Sequence, residues 1–227
     1  MRASLRRWSV LSFLSLAAAA PAVARAQQAP ADPRVTTRVA AVFDTEVCAC
    51  QDTEFPTPRL RDLVIVAVGW RFPIAESAAS RVEVAWVPEV IPFLVSRRTA
   101  DARLEVYACG PRRYCGTSLN DDVWTVTAYG AGLLPIGFSL GIRAFERMRV
   151  RTRVSAGAVQ LSRPVPLAQG TKFNFVADGA ATVEFRATSA VGVSVGLALN
   201  HVSNGGLGRV NLGMDSRMLE IGAVFGR

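Results

Sequence analysis

The feature that most constrains this chain is alternation. From Val191 it reads Val-Gly-Val-Ser-Val-Gly-Leu-Ala-Leu-Asn, one large apolar residue in almost every two. A period of two places residues i and i+2 on the same side of an extended strand. Val191, Val193, Val195, Leu197 and Leu199 therefore share a face, which His201 and Ser203 continue, while Gly192, Ser194, Gly196, Ala198 and Asn200 share the other. The pattern recurs. Val64, Val66, Val68, Trp70 and Phe72 oppose Leu63, Ile65, Ala67, Gly69 and Arg71, and Val82, Val84 and Trp86 oppose Arg81, Glu83 and Ala85. Residues 148–161, 172–186 and 215–225 alternate in the same way. Half the sequence is hydrophobic, yet no apolar run beyond residue 26 reaches the roughly 18 residues of a membrane helix. The fold class is all-β.

Alternation alone suits a soluble sandwich or a membrane barrel. Three features favour the barrel. The strand count is about eight, an even number, if Pro135 kinks the long strand around it without splitting it. Glycine and alanine crowd the charged face, as a narrow lumen requires. Connections alternate between long (48–60, 98–121, 162–171, 204–214) and short (73–80, 146–147, 188–189), as outer loops and inner turns do in such barrels. The expected architecture is an eight-stranded antiparallel transmembrane β-barrel of the outer membrane. Arg149, Arg151 and Arg153 share a face with no apolar purpose, and Asp178, Glu184 and Glu220 fall on the same side of nearby strands. They predict an ion-pair network inside the lumen. Pro88 and Pro92 should make the stretch beyond Trp86 irregular or place it at an edge, and Arg163-Pro-Val-Pro reads as a loop.

The N-terminus has the parts of a secretory signal: Arg2, Arg6 and Arg7, an apolar stretch from Val10 to Ala20, and Ala24-Arg25-Ala26 as a cleavage site. The expected organisation is a signal peptide at 1–26, a flexible leader at 27–35 and one barrel domain at 36–227. Removing the signal takes away four arginines and no acids, so the formal charge falls from +8 to +4. No nucleic-acid motif is present, and an exported protein has little use for one. Export also permits disulfides. Cys48, Cys50, Cys109 and Cys115 lack zinc-finger spacing, and the chain has a single histidine, so they read as loop staples and not as metal ligands. Three pairings are open, with a local Cys109–Cys115 bridge favoured. No cofactor is implied.

That single histidine, His201, stands two residues before Ser203, with Asn204, Gly205 and Gly206 next and Asp215 after the loop. Those are a base, a nucleophile, an amide donor and an orienting acid. If the strands flanking the loop pair antiparallel, Asp215 arrives beside His201. A His-x-Ser-Asn at a strand end is by itself only a polar terminus; here it lies on the apolar outer face. A catalytic group in that position suits a lipid substrate. With the N-terminus periplasmic, the strand ending at Ser203 runs outward to the outer leaflet, which in a Gram-negative bacterium is lipopolysaccharide.

Several stretches resemble the outer-membrane lipid A 3-O-deacylases (PagL type): Thr171-Lys-Phe-Asn-Phe-Val-Ala-Asp-Gly, His201-Val-Ser-Asn-Gly-Gly-Leu-Gly, Asn211-Leu-Gly-Met-Asp215 and the short last strand. Gly132-Leu-Leu-Pro-Ile-Gly137 and the Pro-Val-Pro before Lys172 add to the likeness, which covers about 123–227. The resemblance implies an eight-stranded barrel and a serine esterase that removes the acyl chain at position 3 of lipid A, without metal or cofactor. It makes Ser203 the nucleophile, His201 the base and then acid, and Asp215 the residue that orients His201, where a well-known member has Glu. Asn204 falls at the oxyanion hole, with the backbone amides of Gly205 and Gly206 assisting, a contribution of about 3 kcal/mol in such sites. Arg209 and Arg217 flank the site, where two roles are open: contacts to lipid A phosphates or interfacial anchors. Partners implied are lipopolysaccharide and the outer membrane; a homodimer is left open. Two other readings share the scaffold: a non-enzymatic barrel (an adhesin or envelope structural protein), and a barrel acting on another lipid such as a phospholipid.

Overall fold

The computed structural model describes residues 33–48, 61–77, 81–98, 127–165, 170–208 and 213–226. The expected signal peptide, the cysteine-bearing loops with Cys50, Cys109 and Cys115, and Arg209 lie outside the described residues, and only the backbone of Cys48 is described.

The strands are β1 (Arg34–Cys48), β2 (Arg61–Ser77), β3 (Val82–Trp86), β4 (Glu89–Arg98), β5 (Thr127–Phe145), β6 (Met148–Val165), β7 (Thr171–Arg186), β8 (Val191–Ser203) and β9 (Gly213–Phe225). Every neighbouring pair is antiparallel. β1 pairs with β2 on one side and β9 on the other, so the sheet closes on itself. β3 and β4 occupy one position in the ring, both lying between β2 and β5. The result is an eight-position barrel without an open edge.

The prolines explain where this differs from expectation. The stretch after Trp86 is irregular, as expected, with a break and register shifts, but it is not at an edge, because β4 pairs with both β2 and β5. Only Val87-Pro88 interrupts the strand, and the gap is bridged: Val87 N–H donates to Gly137 O at 2.8 Å, and Trp70 N–H donates to Pro88 O at 3.1 Å. Pro92 falls in a register shift between Ile91 and Leu94 against β5, where its missing N–H breaks no ladder bond. Pro135 kinks β5 without splitting it. It sits in the shift between Leu133 and Ile136 against β6, and its carbonyl accepts from Trp86 Nε1 at 3.1 Å. β6 continues through Pro164 to Val165, which pairs with Thr171, so the expected loop at 162–171 shrinks to its centre.

The outward face is apolar along most strands. Leu133, Ile136, Val154, Leu197, Leu199 and Ile221 are each more than half exposed. A contiguous exposed surface of this kind does not belong in water. It belongs in hydrocarbon, where a closed ladder pairs backbone polar groups strand to strand. β8 has 13 residues, about 40 Å at a rise of ~3.3 Å each, enough to cross a ~30 Å core at the ~40° tilt of such strands.

The interior has two halves. Toward the β8–β9 loop it is a dry plug that includes Leu63, Ile65, Leu94, Leu134, Met214 and Met218. The other half holds the expected ion-pair network. Arg153 meets Asp178 at 2.6 Å, Glu220 at 2.9 Å and Glu89 at 3.3 Å. Arg38 forks onto Glu89 through two 3.0 Å bonds. Arg149 and Arg151 share Glu83, and Arg71 and Arg151 share Glu184. Sharing matters because a buried charge is tolerable only when paired and hydrogen-bonded.

Candidate active site

β8 and β9 carry the site. Their register opposes His201 to Asp215 and Val202 to Met214, as the alternation of the two strands predicted. Facing residues point to the same side, so both polar side chains emerge on the outer wall while Val202 and Met214, 3% and 2% exposed, lock into the dry plug behind them. The backbone under the site is therefore held by core packing, and the chemistry stands on its outer surface.

His201 Nδ1 lies 2.6 Å from Asp215 Oδ1, with both side chains about half exposed. A contact this short is that of a charge-assisted bond, Nδ1–H donating to the carboxylate. It fixes the ring orientation and leaves Nε2 as the acceptor. Ser203, half-buried, lies two residues on along the same face, at the typical ~6–7 Å Cβ separation of i and i+2 that an imidazole can span. Continuing the β8–β9 register one step beyond Val202 and Met214 sets Gly213 opposite Ser203. A Cβ on Gly213 would sit 2.7 Å from His201 Cε1. The imidazole thus lies across bare backbone, held from one side by Asp215 and seated on Gly213. Sequence alone gives Gly213 no role; its one signal there is a glycine two residues before an acid that must pair with a histidine.

Asn204 and Gly205 start the turn that closes β8. Asn204 is buried, at 3% exposed, and its Oδ1 accepts the Gly206 N–H at 2.9 Å. Leu207 N–H donates to Asn204 O at 3.1 Å. Gly205 has φ of 60° and Gly206 has φ of 85°, in the left-handed region that glycine tolerates. A side chain at Gly205 would also strike the Phe175 ring at 2.9 Å. Phe175 pairs with Ser203 across β7 and β8 and stacks edge-on with Phe173 at 5.4 Å. Two exposed aromatic rings therefore wall the serine on the β7 side, a feature that needs the β7–β8 register to be seen. Arg217 is exposed on β9, two residues from Asp215 on the same face.

No curated protein matches this chain. In fold it is similar to the crystal structure of the outer membrane enzyme PagL, with TM-score 0.52, 15% identity, and coverage of 82% of this chain and 97% of that one. It also aligns with the crystal structure of Neisserial surface protein A (NspA), with TM-score 0.48, 10% identity, and coverage of 87% and 99%. The family model described as lipid A 3-O-deacylase (PagL) matches residues 116–223, the stretch that holds β5 to β8, most of β9 and every residue of the site described above. The resemblance read from the motifs between Thr171 and Asp215 thus holds: residues 116–223 of this chain match the model of the lipid A 3-O-deacylase (PagL) family.

Proposed function

We propose that the protein is an outer-membrane serine esterase that hydrolyses the 3-O-linked acyl ester of lipid A. The observation that carries this is the 2.6 Å His201–Asp215 contact on a lipid-facing wall, with Ser203 on the same strand face. Few polar pairs have reason to stand there unless their substrate is itself a lipid. Ser203 Oγ attacks the ester carbonyl as His201 Nε2 takes its proton, and Asp215 steadies the imidazolium. Asn204 and Gly205 supply the donors for the oxyanion. The Gly206 amide, already bonded to Asn204 Oδ1, is not among them. The tetrahedral intermediate collapses when His201 protonates the departing 3-hydroxyl oxygen. Water, deprotonated by His201, then cleaves the acyl-serine and releases the fatty acid. Arg217, with Arg209, contacts lipid A phosphates. The N-terminal signal supports delivery to the envelope, and the apolar outer wall supports insertion in the outer membrane.

The test is a mass spectrum of lipid A from Gram-negative cells producing the protein or its Ser203→Ala variant. Loss of one 3-hydroxyacyl chain with the wild type alone supports the reading. An unchanged lipid A spectrum with folded barrel in the outer membrane overturns it, and lysophospholipid in the same extract would redirect it to a phospholipid substrate.

A further inference from the structure

The end of the barrel opposite Ser203 carries a second feature. Arg81, Arg143, Arg147 and Arg186 are all exposed there. They are neighbours. Arg143 N–H donates to Arg81 O at 2.9 Å, and Arg186 N–H donates to Arg147 O at 2.8 Å. Arg143, Arg147 and Arg186 line one shallow depression together with Glu146, Arg149 and Glu184. Inside the barrel each arginine of the network is matched to a carboxylate. Among the described residues none of these four has an ion-pair partner, and Arg81 holds a left-handed φ of 58°, unusual for a residue with a side chain. Four unmatched like charges across adjacent strand ends repel one another, and favour a ligand that brings negative charge.

Position says which ligand. Phe145, 67% exposed, lies between Arg143 and Arg147, and Phe185, 48% exposed, precedes Arg186. Exposed aromatic residues at a strand end mark the interfacial girdle of a membrane barrel. The arginines therefore sit at headgroup depth, just outside the hydrocarbon, in the leaflet opposite the candidate active site. We propose that this rim binds the phosphodiester headgroups of anionic phospholipids and so anchors the barrel in its inner-facing leaflet. Guanidinium groups suit this ligand because they meet phosphate oxygens in a planar, two-pronged fashion.

This rests on the barrel spanning a bilayer, and not on the chemistry at Ser203. The experiment uses the whole protein folded in phosphatidylcholine bilayers, with trace spin-labelled phosphatidylglycerol or phosphatidylcholine, and reads the protein-bound fraction of each label. The expected preference for phosphatidylglycerol is on the order of fivefold, the size that one basic residue near an anionic surface supports. It should fall toward unity in 1 M salt and in R143Q/R147Q/R186Q, and remain in Ser203→Ala. The single variants R147Q and R186Q, read beside the triple, show a partial loss and guard against a folding defect. Equal binding of the two labels to wild type, or a preference that survives the triple variant, overturns the inference alone. Failure of the protein to enter bilayers at all overturns the barrel reading with it.

Discussion

Gly213→Ala is the most pointed perturbation of the candidate site, because it adds one carbon and touches no reacting atom. The φ of Gly213 lies outside the left-handed region, so alanine fits the backbone, and the effect is one of space. The new Cβ would lie 2.7 Å from His201 Cε1, whereas unbonded carbons rest at about 3.5–4.0 Å. The ring must retreat by roughly 1 Å. The His201–Asp215 contact of 2.6 Å cannot lengthen by that much and remain a hydrogen bond. Loss of a charge-assisted bond is worth about 1.5–3 kcal/mol, which at ~1.4 kcal/mol per decade predicts a kcat lower by about 10- to 100-fold. KM should move little, since no binding group is altered. His201 is the sole histidine, so isotope-labelled histidine gives one resolved set of ring signals. Those signals should shift in the variant, while the heat-modifiable band of the folded barrel persists. A kcat within threefold of wild type with an unshifted ring signal would refute the idea that Gly213 seats the imidazole.

Two further outcomes follow from the same geometry. Asp215→Asn keeps the shape but offers an amide to the ring, destabilising the imidazolium and freeing the wrong tautomer; kcat should fall by roughly 10²- to 10⁴-fold with KM held, as measured by fatty-acid release from lipid A in mixed micelles. Arg153→Met leaves Asp178, Glu220 and Glu89 short of a partner inside the barrel; the urea midpoint in micelles should drop by the equivalent of about 3–5 kcal/mol, with any surviving folded protein still active, because the network does not touch His201.

Much of this was legible from period two. The outer and inner faces of β2, β6, β7, β8 and β9 follow directly from alternation. So does the His201–Asp215 pairing, since a strand, a loop and a strand with matched polar positions leave few registers that keep the apolar residues on one side. The arginine face at 149–153 announced a network because three adjacent inward charges require partners. The proline-bearing β4 was legible only as a choice between an irregular strand and an edge strand. Proline is confined to edges or bulges, and sequence cannot say which, whereas closure of a barrel leaves only the bulge. The dry half of the lumen was also missed as a layer. Leu63 and Ile65 were placed on the inner face, but their gathering with Leu94, Leu134 and Met218 depends on which strands become neighbours. Phe175 and Gly213 were lost to the same cause, since each acts through a cross-strand partner.

The wall-mounted site carries one more consequence. In a soluble esterase a buried acyl chain leaves water for a pocket, and each methylene adds about 0.8 kcal/mol. On the proposed function the chain starts in hydrocarbon and would end against the exposed Phe173, Phe175 and Leu199 on the barrel exterior, surfaces no more apolar than the lipid left behind. The hydrophobic term nearly cancels. Affinity must then come from the head of the lipid at the rim, and the membrane itself presents the ester at the depth of Ser203. Lengthening the scissile chain by two carbons should therefore change kcat/KM, in surface-concentration units, by less than about twofold, where a water-to-pocket transfer would give roughly 15-fold. Deacylation of lipid A species differing only in that chain, in vesicles of fixed composition, reads this directly. Steep selectivity would mean that the acyl chain enters a closed slot and that the open wall between β7 and β8 is not where it binds.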